Sequence, residues 1–358
     1  MSKAAELAKS GETLTNQPSG RKNLVTNGAM QVAQRATSAT GLGANDSTAK
    51  TLDRWKFYSS SAGRLTMTQT ADGPSGFANC MKLDCTTADT SIAAGEYIIL
   101  QHCSEGQDLQ QIKKGTSDAE LITVSFYVKA NAVFNFGVEL FDNDNTRQIT
   151  KLFATTTDWV KHSITFPADT TGAFDDDNAL SLGLNFWLHA GSTFAGGTLN
   201  SSSWASSTNA NRAAGISSFY SSTDNEFFLT GVQMEIGSQA TPFEHRSFGE
   251  ELSLCSRYYT DIVRADNKTA HLIGYAQTAS VARFGFHVPM RAAPTIVETN
   301  FMVLYAGGSE EAITSVDDIS KDNQFVSFRG NVSANLTAGQ AVALFSAGAA
   351  TLTFDAEL

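Results

Sequence analysis

Arg64-Leu65-Thr66-Met67-Thr68-Gln69 alternates polar and apolar side chains with a period of two, the pattern of a strand with one face in a core and the other in water. Met81-Lys82-Leu83-Asp84-Cys85 and Glu96-Tyr97-Ile98-Ile99-Leu100-Gln101 repeat it. Further strands are predicted upstream at Leu52-Asp53-Arg54-Trp55-Lys56-Phe57-Tyr58, and downstream at residues 122–129, 134–141, 149–154, 159–166, 180–189 and 227–235. Residues 36–51 read as a Gly/Thr/Ser loop. Short strands separated by polar turns predict an antiparallel sandwich or jelly roll. A solenoid, a propeller or a processive β-helix would need a repeat of about 20–50 residues, and the chain has none.

Composition agrees. The 358 residues are 42% hydrophobic, enough for packed cores, and only 17% charged; 23 of them are Phe, a residue suited to the inner face of a sheet. The net charge of −11 offers no cationic stripe for phosphate, so nucleic acid and anionic membrane are poor partners; no nucleic acid and no membrane insertion are expected. No apolar run reaches the roughly 20 residues of a membrane span, and the first residues lack the apolar centre of a secretory signal. Four cysteines (Cys80, Cys85, Cys103, Cys255) are too few to staple a chain of this size and read as free, buried thiols of a protein made in a reducing cytosol.

Four regions follow. Residues 1–22 form an N-terminal arm with a short helix or a frayed tail; 23–247 form the larger β-sandwich; 248–260 a connecting helix; 261–358 a second, smaller β-sandwich. The helix is read from Phe248, Leu252, Cys255 and Tyr259 on one face, with acids at its start and an Arg near its end. In the last region strands are predicted at 271–277, 281–290, 295–305, 324–329, 341–346 and 351–357.

Chemistry is sparse. There is no P-loop, no GxGxxG, no HExxH and no GxSxG. Cys80, Cys85 and Cys103 with His102 lack the paired spacing of structural zinc and read as core residues. The remaining histidines are scattered, and the chain is expected not to be an enzyme. Asp142 and Asp144, and Asp175 and Asp177, lie in acidic loops that offer oxygen ligands to a structural calcium, the one cofactor the residues suggest; a solvated turn is the simpler reading. In the polar stretch from Gly196 to Asn225, Trp204 and Tyr220 are candidate platforms for a sugar face, with Asn209 as a hydrogen-bonding partner. The competing reading has Trp204 folding back to plug the end of the sandwich or meeting a neighbouring subunit.

Two stretches carry a family resemblance. One is Asn23-Leu24-Val25-Thr26-Asn27-Gly28-Ala29-Met30-Gln31-Val32-Ala33-Gln34-Arg35 followed by Leu52-Asp53-Arg54-Trp55. The other is Phe228-Leu229-Thr230-Gly231-Val232-Gln233-Met234-Glu235-Ile236-Gly237 with Ala240-Thr241-Pro242-Phe243-Glu244-His245-Arg246, continuing to Cys255-Ser256-Arg257-Tyr258-Tyr259. Together they resemble a module of tail-fibre and other virion structural proteins of tailed bacteriophages, itself similar to carbohydrate-binding jelly rolls. The resemblance implies a fibre or spike subunit of the virion, made in the host cytoplasm. It would be a homotrimer, attached to other virion proteins through its N-terminal arm and binding host-surface glycans. It brings no catalytic residues. The alternatives are a head fibre, capsid decoration or tail adaptor without a receptor and, further off, a polysaccharide depolymerase. Physically, Asn27-Gly28 is expected to set a tight turn, Asp53-Arg54 to form a charge pair, Trp55 to fill the core, and Gln233 and Glu235 to mark the wet face of the last strand.

Overall fold

The computed structural model describes residues 21–261, 270–305 and 308–358, so residues 1–20 of the expected arm lie outside the described residues. The chain divides into two units, one reaching to Glu251 and taking in Leu358, the other Leu252–Glu357. The division falls inside the helix Phe248–Ser256. No helix among the described residues is long and apolar enough to cross a membrane.

In the larger unit, one antiparallel sheet holds β1 (Ser38–Leu42), β4 (Arg64–Thr70), β5 (Cys80–Thr87), β13 (Glu226–Ile236), β7 (Ile122–Ala130) and β10 (Val160–Phe166), in that spatial order. A second holds β12 (Ala205–Ser206), β9 (Arg147–Ala154), β8 (Asn135–Asp142), β11 (Leu180–Ala190), β6 (Tyr97–Glu105), β3 (Trp55–Ser60) and β2 (Asp46–Ala49). The predicted alternation puts Met67, Leu83, Phe126 and Phe227 of the first sheet into one core cluster with Phe57, Leu100, Phe136 and Phe186 of the second, all without solvent exposure. Phe126 meets Phe186 edge-on at 5.0 Å and Phe136 meets Phe227 at 5.5 Å, stitching the sheets together. Each such ring contributes roughly 1.5–3 kcal/mol by leaving water. This is the expected all-β jelly-roll sandwich. All four cysteines are free and buried. β1 and β2 fill the segment read as a loop; both are edge strands of small and polar residues, so no apolar period marks them.

The motif residues hold the fold. Asn27 takes a left-handed backbone (φ 57°), and its side chain bonds Gln31 N, Val32 N, Val32 O and Asp53 O. A Cβ on Gly28 would lie 2.1 Å from the Val232 carbonyl, so only glycine lets this turn touch β13. Trp55 is fully buried and donates its indole N–H to Asn27 O. Two expectations are corrected. Asp53 takes its bonds from Gln34 and meets Arg35 at 3.6 Å, while Arg54 crosses to the Cys103 carbonyl. Gln233 and Glu235 are not a wet face: both are buried, because Thr241 folds back to donate N–H and O–H to Glu235 and Glu244 N donates to Gln233.

The smaller unit contains β14 (Tyr259–Asp261), β15 (Ala270–Thr278), β16 (Val281–His287), β17 (Thr295–Tyr305), β18 (Ser309–Ala312), β19 (Ser315–Lys321), β20 (Phe325–Asn331) and β21 (Ala341–Asp355). Their order is β18-β17-β21-β15-β16-β20-β19, with β14 also on β21. The strands expected at 341–346 and 351–357 are one 15-residue strand. Its pairing partner on one side changes from β15 to β14 along its length, across a bulge that sets Ser346 to Thr351 against only Thr299 to Phe301. A bulge of this size bends a strand and lets a continuous ladder wrap a core. Phe284, Val303, Leu344, Leu352 and Phe354 form that core.

Candidate functional site

On β11, Leu182, Leu184, Phe186 and Leu188 enter the core, so Asn185 and Trp187 between them face outward from the seven-stranded sheet. Their register partners on β6, Gln101 and Ile99, share that face, as does Tyr58 of β3 opposite Ile99. The chain after β11 returns over this face. The single helical turn Ser192–Ala195 brings Phe194, and residues further on bring Ala213 and Ile216, to form a second, small apolar cluster around Trp187, over which Arg212 is laid. What stays open is a cavity of about 290 Å³ walled by Tyr58, Tyr97, Gln101, Trp187, Phe194 and Arg212.

The polar groups of this groove are fixed. The buried Glu139 carboxylate, on β8, accepts from Asn185 Nδ2 (2.8 Å), Trp187 Nε1 (2.8 Å) and, as a bidentate pair, Arg212 Nε and Nη2 (2.8 and 2.9 Å). The guanidinium lies over Phe141 at 4.5 Å and Trp187 at 4.9 Å, and Gln101 Nε2 donates to Asn185 Oδ1 at 2.8 Å. Tyr97 and Phe194 meet edge-on at 5.4 Å. Tyr58, Tyr97 and Phe194 remain half-buried. Such a surface offers aromatic CH contacts beside amide and guanidinium donors, a combination suited to a neutral polyhydroxylated ligand.

The aromatic platforms expected from the sequence lie elsewhere. Trp204 is 7% exposed and donates Nε1–H to Pro167 O, so it plugs the sandwich, as the competing reading has it. Tyr220 is buried outright, its ring packed so close to Gly63 that a Cβ there would sit 2.4 Å away, and burial pushes its phenol pKa up. Neither ring presents a face to a ligand, because the polar residues around them bond to backbone and leave the rings to go inward. Asn209 is exposed, in the short turn Asn209–Asn211 that leads into Arg212. The groove residues were missed because they sit on strands read for their core side; a tryptophan between two core-facing residues of β11 was the available signal.

The four aspartates proposed for calcium do not converge. Asp142 is buried against Lys114, whose ammonium lies 2.5 Å from Asp142 Oδ2 and 3.1 Å from Asp169 Oδ2 and donates to the carbonyls of Thr171 and Gly172. A lysine thus takes the centre of the oxygen cage, over the rings of Phe174 and Trp204. Asp144 accepts from Asp175 N and Asp177 from Ala179 N; Asp175 and Asp177 are exposed. His102 stays neutral: burial first, then the charges of Arg54 and Arg246, hold it well below 6.5 while its Nε2 accepts from Thr26 N.

No family model and no curated protein matches the chain. Several solved structures are similar to it over part of its length. They include a CBM4 module (13% identity, 60% of this chain, 99% of that one, TM-score 0.33) and a family 11 carbohydrate-binding module from Clostridium thermocellum in complex with a mixed-linked tetrasaccharide (11%, 52%, 91%, 0.28). A third is the enzymatically active domain of bacteriophage CBA120 tailspike protein 4 (10%, 60%, 21%, 0.31).

Proposed function

We propose that the larger unit is a non-catalytic glycan-binding module and that the chain is a tail-fibre or spike subunit of a tailed bacteriophage. In that setting it is a homotrimer held to the virion through its N-terminal arm, with host-surface glycan as ligand. The observation that carries the glycan reading is the groove on the seven-stranded sheet, where Tyr58, Tyr97 and Phe194 stand beside Gln101, Asn185 and Arg212. The virion setting is supported by the motifs of residues 23–35, 52–55 and 228–259.

A glycan array probed with the full chain, followed by calorimetry on the best glycan, tests the reading. Tyr97→Ala is expected to weaken binding by roughly threefold to tenfold, the worth of one aromatic contact, with an unchanged circular dichroism spectrum. Absence of reducing-end release from the same glycan goes with a binder and not a depolymerase. The purely structural reading is favoured by the inward turn of Trp204 and Tyr220. It gains if no glycan or host cell is bound.

A further inference from the structure

A second gathering of donor groups lies away from the groove's polar hub. Asp89 follows β5, Glu96 immediately precedes β6, and His189 stands near the end of β11. The register shift between Trp187 and His189 sets His189 opposite the core residue Ile98, and the imidazole packs edge-on against Tyr220 at 5.3 Å. One donor atom from each of Asp89, Glu96 and His189 lies within 4.8 Å of the others, the one such cluster among the described residues.

Three observations point to an ion. His189 is fully buried, and its Nε2 has no hydrogen-bond partner, standing 3.6 Å from Glu96 Oε2. Its other nitrogen, Nδ1, is held 2.8 Å from Ser218 Oγ. That hydroxyl also accepts from Tyr220 N, so an Nδ1–H donating to it leaves the Nε2 lone pair aimed at the two carboxyls. Finally, neither Asp89 nor Glu96 has a Lys or Arg within ion-pair distance among the described residues, so the cluster holds no cation of the chain's own. Neighbouring groups fix both carboxylates: Ser61 Oγ and Ser91 N donate to Asp89, and Ala62 N and Ala93 N to Glu96.

We propose that Asp89, Glu96 and His189 bind a divalent transition-metal ion of the zinc class. One imidazole nitrogen with two carboxylate oxygens is a zinc-type donor set; calcium and magnesium prefer oxygen alone. Ligands around one zinc ion lie roughly 3.3–3.5 Å apart, so the 3.6 Å His189–Glu96 pair is already close to the required spacing, and the full set, within 4.8 Å, closes in around the ion. Ser218 and Ser61 act as positioning residues.

The test uses tag-free full chain stripped with EDTA and titrated with ZnCl₂ by calorimetry. Expected are one Zn²⁺ per chain, a higher Tm, and visible absorption bands when Co²⁺ replaces zinc. His189→Gln is expected to weaken binding at least tenfold, and Ser218→Ala, which leaves all three ligands in place, to weaken it about tenfold. Should His189→Gln fail to fold, the Co²⁺ bands and Ser218→Ala still decide. No saturation at millimolar Zn²⁺ overturns the site, as do binding that both variants leave unchanged and equal competition by Ca²⁺.

Discussion

Two clusters of buried carboxylates in the larger unit are solved differently. Around Asp142 and Asp169 the chain supplies its own cation: Lys114 sits between them, and Arg147 forks onto Asp169 with bonds of 2.8 and 2.9 Å. Two positive charges face two negative ones, and carbonyls take up the remaining ammonium protons. Around Asp89 and Glu96, among the described residues, no Lys or Arg side chain comes within ion-pair distance, and the neighbour is an imidazole whose free nitrogen points inward. The lesson is that acidic residues in a loop do not mark an ion site by themselves. What marks one is a buried donor set that the chain leaves uncompensated.

The contrast can be broken most forcefully at Lys114. Lys114→Met leaves the buried Asp142 without its cation, and Asp169 with Arg147 alone, and is expected to lower stability by about 3–5 kcal/mol in urea denaturation. A loss below about 1 kcal/mol would mean that the cage does not depend on the lysine. Acid sharpens the same comparison. Burial alone would push Asp169 up, but the hydrogen bond from Arg147 and the charge of Lys114 outweigh it and hold the carboxyl below its usual 3.8. The native state therefore binds fewer protons than the unfolded chain, and this stabilisation is complete above pH 3.8 and is lost as pH falls through the lower folded value. The stability gap between wild type and Lys114→Met should be level at neutral pH and narrow below pH 3.8, as urea titrations across that range would record. The smallest effect belongs to Asp177, exposed and bonded only to a nearby backbone N–H. Asp177→Asn should change stability by no more than about 0.5 kcal/mol, with no Tm difference between EDTA and millimolar Ca²⁺.

Much of the fold was legible because a half-buried strand writes its two faces into alternate residues. Arg64–Thr70 and Leu180–Ala190 appear within a residue of their predicted limits. β1 and β2 were illegible, since small polar residues at a sheet edge carry no period. Burial of Gln233 and Glu235 was hidden for a different reason: alternation tells which side a residue faces, and a later loop decides whether that side meets water. The same ambiguity displaced the site. Trp187 and Asn185 read as ordinary strand residues, and only the return of Phe194 and Arg212 over them makes a groove. Trp204 and Tyr220 were candidate platforms because their loop is polar, with Trp204 folding back as the competing reading, and sequence polarity does not say which way a ring turns.

In both units the last strand to be made is not at an edge: β13 lies between β5 and β7, and β21 between β17 and β15. As the nascent chain leaves the ribosome, each sheet therefore waits with a vacant central slot, its flanking backbone open to mispairing, until the closing segment arrives. Truncation even slightly short of Ile236 would remove the keystone of the larger unit and not a dispensable tail, and refolding of either unit is set by long-range closure, the slow regime for β topologies.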